Sequence, residues 1–168
     1  MKTHSISELT QNAYKLLIQV ASSLQSVFLL VIRLYWGWQF TTTGYGKLTN
    51  IAKITDFFQS LGIPFPVLNA YLAGMTECFG GVLLLLGLAS RVVCLPLMFT
   101  MFIAYATAER DALHSLFTDP DKFTGATPFL FLLTAIIVFI FGPGSFSIDR
   151  LLSRLFKPDN DQGSESAK

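Results

Sequence analysis

Two charged residues, Arg33 and Glu77, stand deep inside long apolar runs, and they are the first candidates for chemistry. Counted along a helix at about 1.5 Å per residue, each lies near the middle of a membrane-length segment. A lone charge at that depth costs roughly 2.5–3.5 kcal/mol on insertion scales. Opposite charges at matching depth on neighbouring helices therefore predict a pair facing the interior. Such a pair could handle a proton or floor a small-molecule pocket, and Trp36, Gln39, Phe40 and Thr43, following Arg33 at helical spacing, would be its wall. It could equally be a lock that sets helix register and does no chemistry. Lys47, Glu109 and Arg110 gather toward the opposite end from the chain termini, as a pocket mouth or a solvated rim.

The elements that must position these residues are membrane-spanning helices. Of 168 residues, 52% are hydrophobic and 14% charged, against about 25% charged in soluble domains. A chain this short cannot hide that much apolar surface in one core. Four runs approach the roughly 20 residues needed to cross the hydrocarbon layer: Ser22–Gly44, Val67–Leu88, Arg91–Ala108 and the shortest, Thr127–Phe141. None alternates as a barrel strand would, so the fold class is an all-α, four-helix integral membrane bundle. Ser5-x-x-Glu8 reads as a capping box, and Ile6, Leu9, Ala13, Leu16 and Val20 form one apolar stripe. Residues 1–21 are therefore expected as an interfacial amphipathic helix, 22–156 as the bundle, and 157–168 as a disordered polar tail. A short helix, Ile51–Leu61, ends at Gly62 and Pro64, and Asp119-Pro120 marks a turn. Glycines seven apart, Gly74 with Gly81 and Gly80 with Gly87, let the second span approach two neighbours. Pro96 should kink the third.

Lys2, Lys15, Arg91, Arg150, Arg154, Lys157 and Lys168 fall on the side of the two ends, and Lys47, Lys53, Arg110 and Lys122 on the other. Basic residues favour the cytoplasm, so both ends are expected there, in a bacterial inner membrane. The first residues lack a cleavable signal pattern, so the mature chain is expected to start near Met1.

Several functions are excluded by type. A net charge of +1 without a basic face argues against nucleic acid. His4 and His114 lie outside the spans, so haem held by histidines within the bilayer is not expected. Flavin and metal signatures are missing as well. Cys78 and Cys94 are about 10 Å apart along the membrane normal by helix rise, beyond the roughly 7 Å that a disulfide allows. Gly44-Tyr45-Gly46-Lys47 lacks the spacing of a phosphate-binding loop.

From about Val27 to Leu152 the chain resembles the DoxX family of small bacterial membrane proteins. The matching residues are Arg33, the Gly44–Leu48 segment, the Gly62-Ile63-Pro64-x-Pro66 turn and the run from Glu77 through Gly80-Gly81 and Leu85-Leu86-Gly87-Leu88 to Arg91. The ending, Gly142-Pro143-Gly144-x-Phe146-Ser147-Ile148-Asp149, is similar too. The resemblance implies a four-span bundle associated with redox membrane components such as thiosulfate:quinone oxidoreductase. Its charged positions map onto Arg33, Lys47, Glu77, Arg91 and Asp149. An Arg91–Asp149 pair would tie two helix ends together at the inner face.

The functional expectation is a quinone-linked oxidoreductase subunit with Glu77 and Arg33 as catalytic candidates. Quinone would be bound near that pair or near Lys47, with Trp36, Gln39, Phe40 and Thr43 alongside. Electrons would come from a redox partner subunit or a directly reacting substrate. A non-catalytic anchor for a partner enzyme and a lipid- or solute-binding membrane protein are the alternatives. The lipid bilayer is the expected partner throughout. A homo-oligomer fits the last alternative, since four spans are few for alternating access.

Overall fold

Long apolar stretches in lipid must satisfy their own backbone polar groups, and helices do so within each segment. The computed structural model describes residues 2–155, and among them the chain is helical throughout, with no strand. Its helices are α1 (Lys2–Thr49), α2 (Ile51–Ser60), α3 (Pro66–Leu86) and α4 (Ser90–Thr107), followed by α5 (Arg110–His114), α6 (Pro120–Gly125), α7 (Pro128–Phe141) and α8 (Ile148–Leu155). The expected tail, 157–168, and the side chains of Ser5 and Glu8 lie outside the described residues.

Helices α1, α3 and α4 are each long and apolar enough to cross a membrane, and α7 is a shorter apolar helix of 14 residues. At about 21 Å, α7 falls short of a hydrocarbon core of about 30 Å. Helices α1, α3, α4 and α7 close into a ring, each packed on its neighbours. One end of this bundle carries α8 and the α3–α4 turn, and the other carries α2, α5 and α6. Its outer faces are apolar: Val31, Trp38, Leu72, Phe79, Phe99, Phe102 and Ile140 are all exposed. In water that surface would drive aggregation; in a bilayer it is the lipid contact.

The first helix differs from expectation. The amphipathic segment and the first span are one continuous rod of 48 residues, about 72 Å long, with no break near residue 21. No Gly or Pro occurs there to end the helical ladder.

Glycines set the α1–α3 distance. A Cβ on Gly44 would lie 2.2 Å from the Cys78 nitrogen, one on Gly37 2.9 Å from the Leu85 nitrogen, and one on Gly81 2.5 Å from the Thr41 nitrogen. Gly74 faces Leu48 in the same register. Gly80 turns the other way, onto Leu97 of α4, so α3 does approach two neighbours. Between α1, α3, α4 and α7 lies an apolar core around Phe40, Leu84, Leu97, Phe131 and Val138. Helix α4 runs through Pro96 without ending.

The loops between spans hold more helix than expected. Asp119 accepts from the Lys122 amide and caps α6, with Pro120 in its first turn, so the anticipated turn is a helix start. Tyr105 of α4 anchors this segment, stacking on Phe123 at 4.9 Å and donating to its carbonyl at 2.8 Å.

Backbone against backbone leaves no room for a methyl group at Gly44, whereas Gly46 meets nothing within 4 Å. Gly44→Ala is expected to destabilise the bundle by about 1–3 kcal/mol or more. Gly46→Ala should be neutral or stabilise by up to about 1 kcal/mol. Thermal unfolding in detergent compares the two.

Candidate functional site

Every helix end inside a membrane leaves backbone groups that need partners. At the α3–α4 turn, Gly87 adopts φ 68° and Ala89 φ 47°, which reverses the chain within three residues. Arg33 of α1 reaches this turn. Its Nε donates to the Leu84 carbonyl at 3.0 Å and its Nη2 to that of Leu85 at 3.2 Å. Its Nη1 donates to the carbonyls of Phe146, at 3.2 Å, and of Pro143. The guanidinium thus satisfies the end of α3 and the loop after α7 together. It is 1% exposed. A cation suits the carbonyl end of a helix, where the dipole is negative.

The amide end of α4 receives the complementary charge. Asp149 accepts from the Ala89 amide at 2.7 Å and the Ser90 amide at 3.1 Å, while its own amide donates to the Gly87 carbonyl at 3.0 Å. Gly142 and Gly144, at φ 78° and 79°, fold the intervening loop back, and Ser147 accepts from the Arg150 amide to cap α8. The shortness of α7 is thereby accommodated: its exit loop turns inside the bundle, with carbonyls satisfied by Arg33.

Glu77 is found elsewhere. Its carboxylate forms an ion pair with Lys47, which lies in the last turn of α1. Glu77 is 1% exposed on its side chain and Lys47 27%. The expected Arg33–Glu77 pair is therefore corrected. Glu77 lies beside Gly44, whereas the Arg33 guanidinium lies at the Leu84 and Leu85 carbonyls and against Gly87. Along α3 that is about 11–12 Å from Glu77. Counting depth from approximate span ends placed both at the midplane, but helix contacts and not segment midpoints set relative height.

The expected Arg91–Asp149 pair is corrected as well. Asp149 is engaged by α4 amides, and Arg91 donates to the Ile140 carbonyl at the end of α7, at 3.4 Å. Both still tie helix ends together, but by capping backbone groups. Among the described residues the ion pair is Lys47–Glu77.

The wall residues part company. Phe40 is fully buried and packs on Phe131 at 4.7 Å, and Trp36 packs on Phe131 at 4.9 Å, so both serve the apolar core. Gln39 is half-buried, and Thr43 is exposed with its hydroxyl donating to carbonyls of its own helix. Arg110 donates back to the Ala106 carbonyl at 2.8 Å while Lys47 turns inward, so no common mouth is formed by these two. Cys78 and Cys94 are both free thiols.

One polar feature escaped the sequence reading. A cleft of about 400 Å³ opens at the α8 end, lined by Ser26, Arg91, Ser145, Asp149 and Arg150 among others. Its residues come from four separate segments, and no local spacing announces it.

The architecture defines a small polytopic helical membrane protein with broken helix ends sealed by buried charge. The profile of the DoxX family matches residues 28–110. Inner membrane protein YqjF of Escherichia coli is 30% identical over 135 residues, covering 78% of this chain and 96% of that protein. The Uncharacterized membrane protein Rv3486 of Mycobacterium tuberculosis is 33% identical, over 74% of this chain and 81% of its own. A Bacillus subtilis protein named "Putative oxidoreductase CatD" is 29% identical, over 71% and 83%. No solved structure matches. The chain belongs to the DoxX family and is a bacterial inner-membrane protein.

Removing one member of a buried ion pair strands the other, at a cost of about 3–5 kcal/mol. Glu77→Leu is expected to lower stability by that order, and Lys47→Met combined with Glu77→Leu to recover most of it. A double-mutant cycle on thermal unfolding measures the coupling. Arg33→Lys should not rescue Arg33→Ala, because a single ammonium cannot span carbonyls on two segments.

Proposed function

We propose that this DoxX protein is a membrane subunit of a quinone-linked oxidoreductase and that Lys47 and Glu77 form its working pair. The observation that carries this reading is a carboxylate side chain at 1% exposure held by a lysine whose side chain remains 27% exposed. Such a pair combines a partly accessible hydrogen-bond donor with a carboxylate behind it that can accept and pass on a proton. The oxidoreductase name of the Bacillus subtilis relative points the same way.

In this reading the Lys47 ammonium donates to a quinone oxygen and stabilises the charge that develops there on reduction. Proton equivalents enter through the Lys47–Glu77 pair. Reduction to the quinol needs two electrons and two protons, and the electrons come from a partner subunit that carries the donor. Arg33 is a positioning residue here, since its hydrogen bonds go to backbone carbonyls. Gln39 and Thr43, on the preceding turns of α1, remain the candidates to line the bound ring. The same salt bridge also supports a second reading, a non-catalytic anchor for a partner enzyme, because each charge already satisfies the other.

Both ends of the bundle core are placed by the same proposal: the α8 end faces the cytoplasm, following the excess of basic residues there. Green fluorescent protein fused at the C-terminus should then fluoresce, and an alkaline phosphatase fusion at the same point should be inactive.

Quinone extracted from the protein purified from bacterial membranes distinguishes the two functional readings. The wild type is expected to carry quinone, and Lys47→Met to lose about tenfold in occupancy with the helical content unchanged, as expected for one charge-assisted hydrogen bond. A wild type free of quinone, or a folded Lys47→Met protein that retains it, would leave the anchor reading standing.

A further inference from the structure

The cleft at the α8 end is unrelated to the Lys47–Glu77 pair, and its composition is unusual for a membrane bundle. It holds about 400 Å³ between α1, the 142–147 loop, α8 and the start of α4. Arg91 and Arg150 line it, together with the hydroxyls of Ser26 and Ser145, which face each other at 3.1 Å. The one carboxylate present in the lining, Asp149, has both oxygens committed to the Ala89 and Ser90 amides. Two arginines therefore line a cavity whose one carboxylate is already engaged by the amides of a helix N-terminus.

Arg91 makes a long contact, 3.4 Å, to the Ile140 carbonyl, which leaves most of its five donors directed elsewhere. Guanidinium forks with neighbouring hydroxyls suit the tetrahedral oxygens of a phosphate group. Beside the cleft, Val92 of α4 and Ile140 and Phe141 of α7 expose 68%, 59% and 57% of their surface. Leu151 of α8 is exposed on the other flank. Apolar strips that begin at the rim of a cationic cleft roomy enough for a lipid headgroup, at the end of the membrane-crossing helices, match a molecule with a phosphate head and hydrocarbon chains.

We infer that this cleft binds the phosphate headgroup of an anionic membrane lipid, with the acyl chains lying along α4 and α7. The lipid bridges the ends of α1, α4, α7 and α8, so its binding stabilises the bundle.

The test is thermal unfolding of the purified full-length protein in detergent, titrated with phosphatidylglycerol or with phosphatidylcholine of the same acyl chains. Half-maximal stabilisation is expected at roughly tenfold lower phosphatidylglycerol, from two arginines near the headgroup. In the Arg91→Gln/Arg150→Gln variant the two lipids should become equivalent. Lys15→Gln/Lys53→Gln, which removes basic residues away from the cleft, should leave the preference unchanged. Excess inorganic phosphate should neither stabilise the protein nor displace the lipid. Retention of the preference in the arginine variant overturns the inference, as does its loss in the lysine variant, which would indicate diffuse attraction. Stabilisation by inorganic phosphate alone would make the cleft a soluble-anion site and overturn the lipid assignment. Should the double variant fail to fold, Arg150→Gln alters only an exposed side chain, and an undiminished preference there counts equally against it.

Discussion

A helical bundle in lipid cannot leave backbone groups unpaired, yet each reversal of the chain creates a set of them. The α3–α4 turn is where this constraint bears hardest. Leu84 and Leu85 end one helix and Ala89 and Ser90 begin the next, while the loop from Gly142 to Ser147 passes close by because α7 is short. Arg33 takes the carbonyls and Asp149 takes the amides. Each charge sits at the helix end whose dipole it complements. Removing either would leave several backbone polar groups without their partners at once, and those around the fully buried Arg33 lie where water has least access.

Close packing makes that arrangement reachable. The stretch of α1 that carries Arg33 also carries Gly37 and Gly44, and the contact of these with α3 holds the two backbones near enough for the guanidinium to reach the turn. The same register carries Lys47 to Glu77. One helix pair therefore positions two charge clusters with separate tasks, about 11–12 Å apart along α3. The cluster at the α8 end closes the backbone, and the one toward the opposite end keeps an ionisable pair partly accessible. A third polar feature, the arginine-lined cleft, shares the α8 end and arises from the same folding-back of the 142–147 loop.

Segments singled out in the sequence acquire physical roles in this light. Glycines in the Gly142-Pro143-Gly144 segment are needed for positive φ, Ser147 for capping α8, and Asp149 for capping α4 from outside its own helix. Gly87, also at positive φ, leaves space that a Cβ would take from Arg33 and Ser147. The Gly142–Asp149 segment and the turn that ends α3 are thus halves of a single joint.

Much of this was legible in the residues. Apolar run length and the scarcity of charge located α3, α4 and α7 to within a few residues, because lipid imposes one backbone solution, but not the fusion of the first segment and first span into one helix. Gly74, Gly80 and Gly81 announced close approach, and Arg33 and Glu77 stood out because charge is costly among apolar neighbours, whereas Lys47 was expected at a rim. Which charge met which partner was not legible. Pairing depends on the relative height of two antiparallel helices, and that height is set by glycine contacts between residues some forty positions apart. Asp149 reaching the amides of α4, Arg33 reaching four carbonyls and the cleft formed by four segments are likewise products of chain folding. Sequence by itself determined what had to be buried, while the tertiary structure alone decided what it was buried against, because interhelical register is a property of packed surfaces and not of any one segment.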